Sequence, residues 1–104
     1  MSETSGHKAL AAINRLLADR PNKIGHDFSE ATGRLAAWRD ALALRWRQSP
    51  TENNRRALDR VNAGLSVVLG GQFPLGKVPW PEIDKVRQDL GELASEAADQ
   101  SASP

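Results

Sequence analysis

The sequence predicts an all-α protein, a small antiparallel up-down four-helix bundle with an apolar Gly/Pro-rich loop before the last helix. Apolar residues recur at three- and four-residue spacing in four separate segments, which is the pattern of amphipathic helices. Glycine and proline residues fall between the segments, and the second connection is short enough to favour an antiparallel hairpin. The 104 residues fit one domain with a single core, and we expect residues 1–6 and 99–104 to be disordered tails.

The first helix is predicted from about Ser5 to Arg20. It stops there because Pro21 disfavours helical backbone in the residue before it. Its apolar face is Ala9, Leu10, Ile13, Leu16 and Leu17.

The second helix is predicted to start at a capping box formed by Asp27 and Glu30 and to run to about Gln48. Its core-facing stripe is Phe28, Ala31, Leu35, Trp38, Leu42 and Trp46. A thinner stripe of Gly33, Ala37 and Leu44 lies on the opposite side, at a spacing that lets another helix approach closely. That second stripe is either a self-association or partner face, or a contact with a second neighbour in the same chain.

The third helix is predicted to start with Ser49 as N-cap, Pro50 as its first residue and Glu52 in its first turn. Gly70-Gly71 is predicted to end it, because glycine readily takes the positive φ of a helix C-terminus. Its apolar face is Ala57, Leu58, Val61, Leu65, Val68 and Leu69. The fourth helix should begin near Pro81, with an apolar face of Ile83, Val86, Leu90, Leu93 and Ala97.

The connection from Gly70 to Pro81 is unusually apolar for a loop. Connecting segments run over the surface and are usually polar, so this one should pack on the bundle or on a partner. We expect a partner-binding surface here, with apolar anchors and a lysine that orients the partner. Its residues are Phe73, Leu75, Lys77 and Trp80.

The arginines around the second connection suggest an alternative, nucleic-acid or polyanion binding. Arginine clusters bind phosphates and carboxylates in a bidentate manner. Here the cluster is Arg45, Arg47, Arg55, Arg56 and Arg60. The simpler interpretation is that these arginines form a solvated face and pair with nearby carboxylates. In addition, the sequence pI of about 8.2 is below the strongly basic range of nucleic-acid-binding domains.

The three tryptophans suggest a further alternative, a bundle that binds a small apolar ligand. Trp38 and Trp46 lie on the predicted core face of the second helix, and Trp80 ends the apolar connection. Core packing is the simpler interpretation of all three, because aromatic side chains dominate core burial.

Composition leaves little for catalysis or for membrane insertion. The chain has no cysteine and two histidines, and it contains no metal-binding, phosphate-loop or nucleophile motif. His26 and Glu30 are four residues apart, but His26 precedes the predicted helix start. We expect no cofactor, no metal and no membrane contact.

The function expected from the sequence is that of a non-enzymatic interaction module, an adaptor or regulator that binds another protein or itself. We expect it in a bacterial cytoplasm, because the N-terminus has no basic and apolar signal-peptide pattern. Nucleic-acid binding through the arginines is the alternative, and small-ligand binding is the further alternative.

Overall fold

A computed structural model describes the backbone of residues 2–20, 26–73 and 76–102, and the side chains of residues 5–20, 26–71, 73 and 76–96. It contains four helices, α1 (Ser2–Asp19), α2 (His26–Gln48), α3 (Glu52–Gln72) and α4 (Trp80–Ala102). No strand occurs in this part of the chain. The predicted all-α four-helix bundle is therefore confirmed.

The helices pack in a ring, in which α1 and α3 each contact both α2 and α4. On α1 and α2, a Cβ at Gly6 would lie 3.1 Å from Trp38, whereas Arg15 pairs with Glu30 at 3.5 Å. Later residues of α1 thus meet earlier residues of α2, so the two helices run in opposite directions.

The same reversal relates α3 to α4. A Cβ at Gly71 would lie 3.2 Å from Ile83, whereas Arg60 pairs with Glu96 at 3.0 Å. The bundle, 45 × 22 × 20 Å in extent, consequently has two distinct ends. We call them the 73–80 end and the 49–51 end, after the connections that they carry.

The core is apolar throughout the described residues, and no polar or charged side chain there is buried. Each helix buries most of the face that its periodicity predicts. Of the predicted core residues, Leu69 is 41% exposed, Trp46 is only half-buried, and the side chain of Ala97 lies outside the described residues. The buried hydrophobic residues are Ala9, Ala12, Ile13, Leu16, Phe28, Ala31, Leu35, Trp38, Leu42, Val61, Leu65, Val68, Ile83, Val86, Leu90 and Leu93.

The N-terminus of α3 differs from its prediction, because Thr51 rather than Ser49 is the N-cap. Thr51 has extended backbone, and its Oγ1 accepts a hydrogen bond from the backbone N–H of Asn54 at 3.2 Å. The carbonyl of Ser49 accepts from the Asn54 side-chain amide at 2.7 Å. Ser49 and Thr51 are both good capping residues, and the two bonds made by Asn54 favour the later one.

The C-terminus of α3 also differs, because the helix continues through Gly70 and Gly71 to Gln72. No glycine in the described residues has a positive φ. Gly71 is needed for space instead, since a Cβ there would lie 3.1 Å from Phe28 and 3.2 Å from Ile83. The predicted stop was wrong because a close helix contact, rather than a turn, requires this glycine.

The other helix ends shift by a few residues. Asp27 lies inside the first turn of α2 and not at its cap, because the helix already includes His26. α1 starts at Ser2 and α4 extends to Ala102, so both helices reach into the predicted tails. α1 ends at Asp19, one residue before its predicted end, because Arg20 has a φ of 40°. The backbone N–H of Arg20 still bonds the carbonyl of Leu16 at 2.8 Å.

Candidate docking surfaces

The C-terminus of α3 presents two exposed apolar side chains. Phe73 is 65% exposed and Leu69 is 41% exposed. Phe73 is the C-cap of α3, and its backbone N–H bonds the carbonyl of Leu69 at 3.2 Å. The two residues are one helical turn apart, so their side chains lie on the same side of the helix. We call Leu69 and Phe73 the exposed pair.

The rest of the connection turns inward where the structure describes it. Val78 and Trp80 are half-buried and pack against the core. The Trp80 ring lies 5.8 Å from the ring of Phe28, with an interplanar angle of 34°. Since Phe28 is fully buried, this contact fastens the start of α4 to the core.

The predicted partner-binding set is therefore divided. Phe73 and Lys77 are exposed, Trp80 packs inward, and Leu75 lies outside the described residues. Sequence reasoning missed Leu69, which it assigned to the core face of the third helix. Leu69 and Phe73 share a face only because α3 continues through Gly70 and Gly71, so the predicted helix stop concealed the pair.

Several of the arginines near the 49–51 end are occupied by carboxylates of the same helix. Arg55 pairs with both Glu52 and Asp59, the latter at 3.0 Å. Arg56 pairs with Glu52 at 3.3 Å. The Arg55 guanidinium, helped by Arg56, holds the pKa of Glu52 below its ordinary value.

Arg60 links α3 to α4. Its guanidinium donates to the Asp89 carboxylate at 2.8 Å, to the Asp89 backbone carbonyl at 3.0 Å and to Glu96 at 3.0 Å. The hydrogen bonds to these carboxylates, above all to Asp89, raise the pKa of Arg60 above its ordinary value. Of the predicted polyanion-binding arginines, Arg55, Arg56 and Arg60 are thus held in ion pairs. Arg60 is half-buried, and the other four, which include Arg45 and Arg47, are exposed.

The second stripe of α2 faces solvent. Gly33 and Ala37 are exposed, and Leu44 is 54% exposed. A Cβ at Gly33 would meet no atom within 4 Å. α2 packs against both α1 and α3, and its buried residues, from Phe28 to Leu42, lie on the side opposite this stripe.

The three tryptophans do not line one pocket. Trp38 is 4% exposed and packs against Gly6, whereas Trp80 packs against Phe28. Phe28 and Trp38 are ten residues apart on α2, a separation of about 15 Å along the helix. Trp46 lies two turns further on, toward the 49–51 end.

Carboxylates at the 73–80 end interact with their neighbours. Because His26 is helical, it reaches Glu30, and the Nε2–Oε2 distance is 3.1 Å. A side-chain hydrogen bond with Asp27 raises the pKa of Asp19 above its ordinary value. Within the described ranges, no three potential metal ligands come together.

Taken over its described residues, none of the four helices combines the length and the apolar character required of a membrane span. Comparisons with protein-family models, with curated proteins and with solved structures find no match to this chain.

Proposed function

We propose that this chain is a non-enzymatic protein–protein interaction module, an adaptor or regulator acting in the cytoplasm, and that it binds its partner through the exposed pair. The observation that carries the proposal is the exposure of Phe73, 65%, next to Leu69 at 41%. An exposed phenylalanine beside an exposed leucine is the kind of apolar anchor that dominates protein interfaces.

The helix turn that carries the exposed pair packs against the core. Leu69 lies within the last turn of α3, and Phe73 caps that turn. On the inner side of the same turn, Gly71 lies against Phe28 and Ile83. A preformed surface loses less conformational entropy on binding than a flexible loop does. Lys77, exposed on the same connection, supplies a charge that orients the partner.

The ion pairs at the 49–51 end favour this proposal over the polyanion alternative. Arg55, Arg56 and Arg60 already bind carboxylates of the same chain. A phosphate would have to displace those carboxylates, and its binding would fall steeply with salt concentration. Docking at the exposed pair depends on apolar burial, so we expect its affinity to change little between low and moderate salt.

The proposal is tested by capturing a partner with the immobilised chain and measuring its affinity for purified variants. We expect Phe73→Ala to weaken binding by about 2 kcal/mol, or roughly thirtyfold, if Phe73 is the central anchor. Leu69→Ala should act in the same direction.

Leu44→Ala is the matched control, because it removes an exposed leucine at the other end of the bundle. A partner that tolerates both Leu69→Ala and Phe73→Ala, or whose affinity falls steeply with salt, would refute docking at the exposed pair.

A further inference from the structure

The outward side of α2 carries a regular pattern of residues that is independent of the exposed pair. Its positions alternate in spacing between three and four, as in the seam of a coiled coil. We call this set the α2 face. Its residues are Glu30, Gly33, Ala37, Asp40, Leu44 and Arg47.

Five of the six residues of the α2 face are exposed, and Glu30 at its start is half-buried. Gly33, Ala37 and Arg47 are exposed, Leu44 is 54% exposed, and the Asp40 side chain is 72% exposed. Arg47 makes no ion pair with any residue that the structure describes. The face therefore has a protruding side chain at Leu44 and a shallow depression at Gly33, which has no side chain.

We propose that the α2 face pairs with the α2 face of a second copy of the chain, with the two helices antiparallel about a two-fold axis. Because the second helix runs in the opposite direction, the residues of its α2 face meet those of the first helix in pairs. In this register position 30 faces 47, 33 faces 44 and 37 faces 40. Two-fold pairing repeats each of these contacts, as an isologous interface requires.

In this register the facing residues of the two copies are complementary in side-chain size and in charge. Leu44 of one copy lies over Gly33 of the other, where a side chain has room because no atom comes within 4 Å of a Cβ built there. Arg47 of one copy faces Glu30 of the other. Glu30 binds Arg15 and His26 through the same oxygen, Oε2, and keeps 25% of its side chain exposed, so its Oε1 is the atom that would accept from Arg47 of the other copy.

Charge disfavours two other simple pairings. In a parallel pair each residue faces its own copy, so Glu30, Asp40 and Arg47 would each meet a like charge. In an antiparallel pair shifted so that position 33 faces 37, Glu30 faces Asp40, which are again like charges. The proposed register opposes no like charges, and it is the one that places Leu44 over Gly33.

One helix face of this length buries less area than the interfaces of stable dimers. We therefore expect a weak dimer, whose fraction rises with protein concentration in light scattering. A strict monomer at the highest concentration reached would overturn the proposal.

The register is tested by cross-linking, for which the absence of cysteine in the chain gives a clean background. The double variant E30C/R47C should form two symmetric disulfides under mild oxidation, because the paired positions face each other. R47C alone should not cross-link, because its two copies would be separated by 17 residues, about 25 Å along the helices. Efficient cross-linking of R47C alone would show a different pairing and would refute this register.

A charge exchange tests the same contact without a disulfide. Arg47→Glu and Glu30→Arg should each raise the dimer dissociation constant by about tenfold or more, because each creates like-charge pairs. The double variant Glu30→Arg/Arg47→Glu should recover dimerisation. Far-ultraviolet circular dichroism checks that each variant is folded, and failure of the folded double variant to recover would contradict the Glu30–Arg47 pairing. None of these substitutions touches the exposed pair, so the two proposals fail independently.

Discussion

Gly64 and Gly91 are both interior helical glycines, but their surroundings differ. A Cβ at Gly64 would lie 2.9 Å from Val86 and 3.0 Å from Leu90, whereas one at Gly91 would meet nothing within 4 Å. Gly64→Ala must therefore displace buried side chains of α4, and we expect it to lower the free energy of unfolding by about 1–3 kcal/mol.

Gly91→Ala is the matched control, and it should raise the free energy of unfolding by up to about 1 kcal/mol, because alanine is the better helix former. Urea denaturation of the two variants measures both values. Equal effects of the two substitutions would show that the contact of Gly64 with α4 is looser than described.

The pKa shifts of two carboxyl groups predict opposite pH dependences. The pKa of Glu52 is lowered chiefly by its hydrogen bond with Arg55, so its contribution to stability is present above the ordinary glutamate pKa and is lost as the pH falls through the lowered value. Glu52→Gln should lower the melting temperature near pH 7, and this effect should shrink as the pH falls through the lowered pKa of Glu52. Asp19 is the reverse case, because its hydrogen bond with Asp27 raises its pKa.

A raised carboxyl pKa favours the folded state at low pH, and that contribution is lost as the pH rises through the folded pKa. Asp19→Asn should therefore raise the melting temperature near pH 7 and lose this advantage in acid. Thermal melts of the three proteins between about pH 3 and pH 7 provide the comparison. Parallel curves for wild type and Asp19→Asn would contradict the raised pKa of Asp19.

At the scale of elements, the connection between α3 and α4 shows what periodicity cannot predict. Along a helix, spacing fixes which residues share a side, and so most of the core face of each helix could be predicted. Between Phe73 and Trp80 no such period applies. The sequence shows two aromatic residues in one loop, but their contrasting exposure depends on the position of Phe28 on another helix.

This contrast yields a paired prediction for two aromatic residues. Trp80→Ala removes the ring that packs on Phe28, and we expect the free energy of unfolding to fall by about 2–3 kcal/mol, less than for a fully buried tryptophan. Phe73→Ala removes an exposed ring and should change it by less than about 0.5 kcal/mol. Equilibrium unfolding followed by circular dichroism measures both. A larger loss for Phe73→Ala would mean that the exposed pair packs within the chain.

Ion pairs within one helix were easier to anticipate than those between helices. Arg55 reaches Glu52 and Asp59 at spacings of three and four, which the sequence alone makes neighbours on a helix. The bond from Arg60 to Asp89 spans 29 positions and depends on how α3 and α4 are aligned. The sequence therefore already suggested a salt-bridged face around Arg55, whereas only the alignment of the helices assigns Arg60 to the α3–α4 contact.

At the scale of the whole molecule, the fold class and the core could be predicted because each helix has one continuous apolar face. Ile13, Leu35, Val61 and Leu90 are completely buried, as their spacing predicts. The candidate sites were predicted less completely. Exposure of the stripe opposite the core of α2 follows from periodicity, whereas the exposed pair depends on where α3 ends.

The apolar core also bears on how the four helices find their alignment. Since none of its described buried side chains is polar, hydrogen bonds inside the core cannot select one axial alignment over another. Inside the core, glycines make that selection instead. Gly6 leaves room for Trp38, Gly64 for Val86, and Gly71 for Phe28. If one helix slid by a turn along its neighbour, each bulky group would meet an ordinary side chain rather than a vacant site. The positions of these three glycines therefore help to fix how the helices align along their axes.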